Sequence, residues 1–292
     1  MARDSFTQFD LIGDVHGHYE ELCKLLEQLE YHRNGKVFEN EENHKLIFVG
    51  DLINRGPKSE KVLHLVKSMC DSGMAFAVLG NHEFRLIQNA VSGRKIPSEL
   101  SVFLPWLRKL PMFLDMDSFR VVHAAWHFSS IKLLEDQSVE DDSFIEKTLV
   151  KKNPFRLAVQ RILSGIKITI PKGLKCKDRF GVVRPKGRLK WWMNLEGKAY
   201  ADCFLSPMSP QINNAGPKLD ELSEIEEYTA NEKPVFIGHY CLPEYVPKVY
   251  GQVVCLDGCV TCDKKLWGYR YRGEKNPTPR NLVEEKTCRG LI

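Results

Sequence analysis

The chain has 292 residues, 43% of them hydrophobic, with 42 Lys and Arg against 38 Asp and Glu. That composition supplies a folded core and excludes a disordered polyelectrolyte. No apolar run nears the roughly 18 residues of a membrane span, and residues 1–10 lack the basic and apolar segments of a signal peptide, so a cytoplasmic protein without membrane partners is expected.

Residues 9–13 (FDLIG) read as a buried strand, followed by a helix over 19–29 whose Leu22, Leu25, Leu26 and Leu29 share one face. The same unit recurs as 45–50 (KLIFVG) with a helix around 59–69, and as 74–80 (MAFAVLG) with a helix over 83–91. Residues 113–115 and 119–124 form a hairpin pattern. Strands alternating with helices predict an α/β architecture with a largely parallel sheet. Beyond about residue 130 the regularity fails. Residues 149–164 turn helical past Pro154, 166–192 read as basic strand segments broken by Pro and Gly, and 206–231 read as polar loop. Strand patterns return at 235–238, 253–257 and 266–272. The expected organisation is a core of residues 1–130 and 233–275, a basic insertion over 131–232, and a tail over 276–292.

The net charge of +4 conceals a segregation. From Lys147 to Lys198 there are 15 Lys or Arg against only Asp178 and Glu196, so the remainder of the chain is acidic overall. Such a block sets a local field that favours a polyanion. The nine cysteines are scattered, which suits reduced thiols, and Cys255, Cys259 and Cys262 lack the fourth ligand of a structural zinc site.

Three predicted strands end in Gly followed by polar residues: Gly13-Asp14-Val15-His16-Gly17, Gly50-Asp51-Leu52-Ile53-Asn54-Arg55-Gly56 and Gly80-Asn81-His82-Glu83. Ligands of open α/β sheets bind at the carboxyl ends of strands, so these loops are expected to converge. Two later strands end at His123 and His239. Carboxylate, imidazole and amide donors together suit Mn, Fe or Zn. Alone, Asp14 reads as a helix N-cap and His16 or His123 as a core histidine. Together, five unpaired polar strand ends would cost roughly several kcal/mol without a cation. His18 and His127 read as surface or supporting histidines, and Glu83 as the opening carboxylate of its helix.

The order GDxHG, GDxxxRG, GNHE, VVHA and GH resembles that of the calcineurin-like metallophosphoesterases, and especially their phosphoprotein-phosphatase branch. The resemblance implies two mixed β-sheets packed as a sandwich, flanked by helices, with two divalent metals at one rim, manganese first and iron or zinc as alternatives. It implies that Asp14 and His16 hold the first metal, that Asp51 bridges, and that Asn81, His123 and His239 complete the second. Arg55 would grip the phosphate, and His82 would act as general acid. Two such ions can clamp an in-line displacement and lower the pKa of a bridging water, whose hydroxide attacks phosphorus. Arg55 offers a planar fork that a lysine could not mimic.

The chain departs from the pattern at Asn54, where the family carries an Asp thought to pair with the GNHE histidine. Asn54 can still hydrogen-bond His82 but removes the negative charge that would raise its pKa, which points to a slower enzyme, a lower pH optimum, or a leaving group that needs little protonation, such as a phosphoanhydride. The segment 253–274 is similar to the ending shared by bacterial diadenosine-tetraphosphate hydrolases and bacterial protein phosphatases, and Asp257 there could order the His239 loop or simply form its own turn. Arg188, then Arg184, are the candidate second phosphate arginines in a stretch (178–192) loosely similar to one that reaches over the metal site in relatives. Trp191 or Trp192 could stack on a base, or be buried. The expected function is metal-dependent hydrolysis of a phosphate monoester or a nucleoside polyphosphate. The alternatives are a bacterial-type Ser/Thr phosphatase and a weakly catalytic phosphate-binding regulator. The substrate is a phosphorylated small molecule, nucleotide or phosphoprotein, with nucleic acid disfavoured because aromatic–basic interleaving is confined to one stretch.

Overall fold

A computed structural model describes residues 8–284 except 43, 171–175, 178–180, 206–215, 219–221, 224, 244–245 and 247. Parts of the expected loop over 206–231, of the basic stretch over 166–192 and of the tail therefore lie outside the described residues. Among the described residues, no helix is long and apolar enough to cross a membrane.

Short apolar runs at each end of the chain build two five-stranded mixed sheets. The first contains β1 (Phe9–Ile12), β2 (Lys45–Phe48) and β3 (Ala75–Ala77). The second contains β4 (Phe113–Asp115), β5 (Arg120–Val122), β6 (Val235–Ile237), β7 (Val249–Tyr250) and β8 (Val253–Cys255). The chain then returns to the first sheet as β9 (Trp267–Tyr271) and β10 (Leu282–Glu284). The sheet orders are β10-β9-β1-β2-β3 and β7-β8-β6-β5-β4. Strands β1, β2 and β3 run parallel, as do β5, β6 and β8, while the edges close antiparallel. Strand β10 falls inside the stretch expected as a tail.

The period of two along each strand explains the sandwich. Leu11, Ile47, Val121, Phe236, Val254 and Tyr269 point into the layer between the sheets. Their neighbours Ile12, Phe48, Val122, Ile237 and Cys255 point outward into the helical layers. Helices α1 (Tyr19–Gln28), α2 (Ser59–Asp71) and α3 (Asn81–Val91) each follow a parallel strand, as the alternating pattern predicts. α1 buries Leu22, Leu25 and Leu26; α2 buries Val62, Leu63, Val66 and Met69. Sequence periodicity did not mark the hairpin Tyr31–Asn34/Val37–Asn40, whose strands are largely polar.

The insertion is continuous with this core. Helices α4 (Phe128–Leu134), α5 (Asp142–Leu149) and α6 (Pro154–Ser164) contribute Leu134, Phe144, Ile162 and Leu163 to the same apolar cluster as the helical layer. Backbone N–H groups of Ala124 and Ala125 both donate to Ile162 O, at 2.8 and 3.3 Å, and so tie the end of α6 to the segment after His123.

Candidate metal centre

Every expected ligand follows the carboxyl end of a parallel strand: Asp14 and His16 after β1, Asp51 after β2, Asn81 after β3, His123 after β5 and His239 after β6. The turns that place them are strained. His16 (φ 45°), Asp51 (φ 52°), Asn54 (φ 69°), Arg55 (φ 65°) and His239 (φ 72°) are left-handed without being glycine. Such residues cost about 1–3 kcal/mol each and persist only where their surroundings over-determine them. Here the surroundings are backbone hydrogen bonds between neighbouring loops: His16 N to Asp51 O (2.8 Å), Gly17 N to Leu52 O (2.8 Å) and Gly238 N to His123 O (2.8 Å). Glycine is needed where carboxylates approach the chain. A Cβ on Gly238 would lie 1.9 Å from Asp14 Oδ1, and one on Gly80 would lie 2.2 Å from Asp51 Oδ1.

The imidazoles are oriented by their back nitrogens. His16 Nδ1 meets Ile53 O at 3.0 Å and His123 Nδ1 meets Val49 O at 2.8 Å. A carbonyl can only accept, so both Nδ1 atoms carry protons and both Nε2 lone pairs are free to coordinate. They converge on Asp51 Oδ2, at 3.6 Å for His16 and 3.3 Å for His123. His123 Nε2 also lies 3.2 Å from Asn81 Oδ1. Asp14 takes the backbone N–H of His239 (3.0 Å) and stands 3.9 Å from His16 Nε2. His239 Nε2 is buried without a hydrogen-bond partner among the described residues. At this rim two groups among the described residues have ligand atoms within 4.8 Å of one another: His16, Asp51 and His82, and Asp51, His123 and His239; Asp14 belongs to neither. Asp51 belongs to both, the position of a bridging ligand.

The electrostatics show what the arrangement lacks. Burial, then the charges of Asp257 and Asp51, push the Asp14 carboxyl well above its ordinary value. Burial also opposes ionisation of Asp51, but His123, His16 and His82 outweigh it and hold that carboxyl well below. Clustered buried carboxylates, free imidazole lone pairs and an orphaned His239 nitrogen fit divalent cations, which would satisfy all three at once.

Glu83 does more than sequence reasoning assigned to it. It opens α3 by accepting from Gly80 N at 3.0 Å, as expected of a capping carboxylate. It also crosses to the neighbouring loop and accepts from Asp51 N (2.9 Å), Leu52 N (2.9 Å) and Ile53 N (3.1 Å) while fully buried. Burial beside Asp51 pushes its carboxyl up to about 7 despite these donors. The Gly80–Glu83 spacing signals the cap; the reach to residue 51 needs the knowledge that β2 and β3 are neighbours.

His82 is half-buried, with Nε2 3.9 Å from Asp51 Oδ2 and Nδ1 2.8 Å from Asn54 Nδ2. The Asn54 amide donates, so Nδ1 accepts and the neutral ring carries its proton on Nε2, facing the site. Arg55 is exposed at the rim. Arg188, on the strand Lys186–Arg188, is close enough to act electrostatically on both Arg55 and His239. Arg184 is more exposed, and it acts on Arg188.

Several expectations change. Trp191 and Trp192 are buried, not open to a base: Trp191 Nε1 donates to Tyr240 OH (3.0 Å) and Ala124 O (3.2 Å), while Trp192 packs on Tyr240 and Tyr250. Cys241 and Cys259 form a disulfide, so not all thiols are reduced. The cysteine cluster is Cys241, Cys259 and Cys262, whereas Cys255 lies inside β8. Asp257 is the cause: it accepts from Cys241 N at 2.6 Å and Cys259 N at 2.8 Å, drawing the His239 loop against the turn after β8. His127 caps α4 by accepting from Ser130 N (3.2 Å), and His18 is buried against Glu21.

A family model for calcineurin-like phosphoesterases matches residues 7–165. The chain is 32% identical over 243 residues to a symmetrical bis(5'-nucleosyl)-tetraphosphatase of Vibrio campbellii, covering 79% of this chain and 83% of that protein. It is 26% identical over 268 residues to its namesake in Vibrio vulnificus, covering 86% and 90%. A solved cold-active protein tyrosine phosphatase shares the fold at a TM-score of 0.51 and 16% identity, over 92% of this chain and 77% of that one. The chain belongs to the calcineurin-like phosphoesterases and is a hydrolase of that dinuclear-metal family.

Proposed function

We propose that the protein hydrolyses a phosphoanhydride of a nucleoside polyphosphate, with simple phosphate monoesters as poorer substrates. The observation that carries this is the Asn54 amide on His82 Nδ1. A carboxylate there would stabilise a cationic imidazole; an amide donor favours the neutral ring, a weaker acid. A phosphate leaving group departs with little protonation, whereas an alkoxide does not. Relatives named as bis(5'-nucleosyl)-tetraphosphatases support the same class.

In this reading Asp14 and His16 would hold one metal, Asn81, His123 and His239 would hold the other, and Asp51 would serve both, with mixed oxygen and nitrogen donors that suit manganese, or iron or zinc. When bound, the metal pair supplies an acidified water and positive charge for the phosphoryl oxygens. Arg55 orients the phosphate through its planar fork. Arg188, and less directly Arg184, add charge from the insertion. His82 presents its Nε2–H to the departing oxygen as a hydrogen-bond donor. Asp257 fixes the loop that carries His239, and Glu83 fixes the loop that carries Asp51. Five described cysteines are free, which suits a cytoplasmic location.

The test uses metal-stripped protein with and without Mn²⁺, on diadenosine tetraphosphate, an aryl phosphate and an acidic phosphopeptide. The expected result is Mn²⁺-dependent turnover with the dinucleotide strongly preferred. Preference for the phosphopeptide would make the protein a phosphatase of phosphoproteins. Bound metal with no turnover on any substrate would make it a regulator.

A further inference from the structure

The insertion presents a cationic face that the residues assigned above do not explain. Strand Lys186–Arg188 pairs antiparallel with Lys167–Thr169, placing Arg188 opposite Lys167, Gly187 opposite Ile168 and Lys186 opposite Thr169. A Cβ on Gly187 would come within 2.4 Å of the Phe204 ring, so the Gly187 face is closed by that side chain. Alternation then puts Lys167, Thr169, Lys186 and Arg188 together on the other face. Three of these four are cations and none is a carboxylate.

Like charges set directly opposite on an antiparallel pair are destabilising. Arg188 and Lys167 are such a pair, and an anion lying across them turns the repulsion into attraction. The Arg188 Nε is buried and has no hydrogen-bond partner among the described residues. A guanidinium N–H removed from water is retained where a ligand oxygen completes it. The face also adjoins the metal centre. Trp191, three residues past Arg188, donates from Nε1 to the hydroxyl of Tyr240, the residue after His239, at 3.0 Å. Lys167 and Lys186 are exposed on this face, while Arg188 is half-buried. The cations of this face therefore run from the half-buried Arg188 to the exposed Lys167 paired with it.

We propose that this face is the subsite for the phosphates of a polyphosphate beyond the one under attack, and that Lys167 is the residue that separates polyphosphates from monoesters. The inference rests on the nucleoside-polyphosphate reading, and tripolyphosphate binding tests it separately from that reading. A monoester carries one phosphate, which Arg55 and the metals occupy; it leaves Lys167 untouched. A polyphosphate chain continues past Arg188 and exchanges the Arg188–Lys167 repulsion for two charge-assisted hydrogen bonds.

The experiment compares the Mn²⁺-loaded wild type with Lys167→Met and Lys167→Arg. For diadenosine tetraphosphate, Lys167→Met should lower kcat/KM roughly 10- to 100-fold, the effect of one charge-assisted hydrogen bond. Turnover of the aryl phosphate should stay within about twofold on the same reasoning. Tripolyphosphate should inhibit aryl phosphate hydrolysis by the wild type and lose potency in parallel in Lys167→Met, with Lys167→Arg recovering most of it. Equal losses on both substrates, or tripolyphosphate inhibition unchanged by Lys167→Met, would overturn the proposal. If the wild type hydrolyses no anhydride, the reading of function fails, yet tripolyphosphate inhibition still decides the subsite. If no substrate turns over, the rise in Tm given by tripolyphosphate, present in the wild type and reduced in Lys167→Met, decides it instead.

Discussion

The rim of the sandwich and the basic insertion carry polar side chains in opposite conditions. At the rim nearly every group is anchored from behind: His16 on Ile53 O, His123 on Val49 O, Asp14 under His239 N, and Glu83 beneath four backbone N–H groups. In the insertion, Arg188 and Lys167 face each other as like charges, and a guanidinium nitrogen of Arg188 is buried without an acceptor among the described residues. The rim is organised before any ligand arrives, as catalysis by fixed dipoles and metals demands. In the proposed subsite the repulsion between Arg188 and Lys167 is relieved only when an anion arrives, as recognition by differential binding demands.

That contrast is breakable. Asp51→Asn should abolish turnover, a loss of roughly a thousandfold or more, because both ligand groups share this carboxylate. Metal analysis should show the paired occupancy lost; retention of two ions per chain would deny Asp51 the bridging role. His82→Ala, assayed on the aryl phosphate, separates acid from ligand: two ions retained with turnover lost supports the acid, and one ion lost makes His82 a ligand of the first site in its own right.

Glu83→Gln should come next. Both oxygens of Glu83 accept two N–H groups each, so an amide –NH₂ must oppose two backbone donors. Outer partners of metal ligands typically contribute roughly 10–100-fold to affinity or activity, and a fall of that size in Mn²⁺ affinity, together with a lower Tm, is expected. An unchanged Mn²⁺ titration would show that the Asp51 loop does not depend on this anchor. Arg188→Met should cost a similar factor in kcat/KM for the dinucleotide, roughly 10- to 100-fold for one charge-assisted contact. Here both ions should remain bound. Loss of metal in Arg188→Met would erase the division between rim and insertion.

The two regions were also unequally legible. The rim could be read because strand–Gly–ligand units recur in order, and the ends of parallel strands must converge whatever lies between them. Asp14, His16, Asp51, Asn81, His123 and His239 come together accordingly. Glu83 was only half legible: its cap is local in sequence, but its bonds to residues 51–53 depend on which strands are neighbours. The insertion gave composition without register. Fifteen cations in a row of residues say that a positive field exists; only the pairing of Arg188 with Lys167, and the Phe204 ring behind Gly187, say which of them share a face. The paired tryptophans were ambiguous for the same reason, since burial against Tyr240 is a tertiary fact. The Cys241–Cys259 link joins residues 18 apart through the Asp257 turn, a contact no spacing rule contains.

The smallest expected effect is the most discriminating, because it concerns the one rim position that breaks the family pattern. Asn54 holds His82 Nδ1 at 2.8 Å by donating to it. In Asn54→Asp the contact reverses: the ring must donate from Nδ1, both nitrogens become protonated, and the carboxylate stabilises the cation. The ring becomes the better source of protons at neutral pH. Turnover of an alkyl or aryl phosphate, whose leaving oxygen needs the proton, should rise severalfold, about what one added charge at hydrogen-bond distance contributes to general acid catalysis. Hydrolysis of the dinucleotide should hardly change, because its leaving phosphate does not draw on that proton. The ratio of the two rates therefore isolates the proton from every other part of the site, since metals, Arg55 and the insertion are common to both reactions. A rise in both rates would mean that protonation also limits the anhydride reaction. A fall in both would mean that the family's carboxylate is incompatible with the left-handed turn this chain builds at residue 54, and that Asn54 is there for the backbone and not for the substrate.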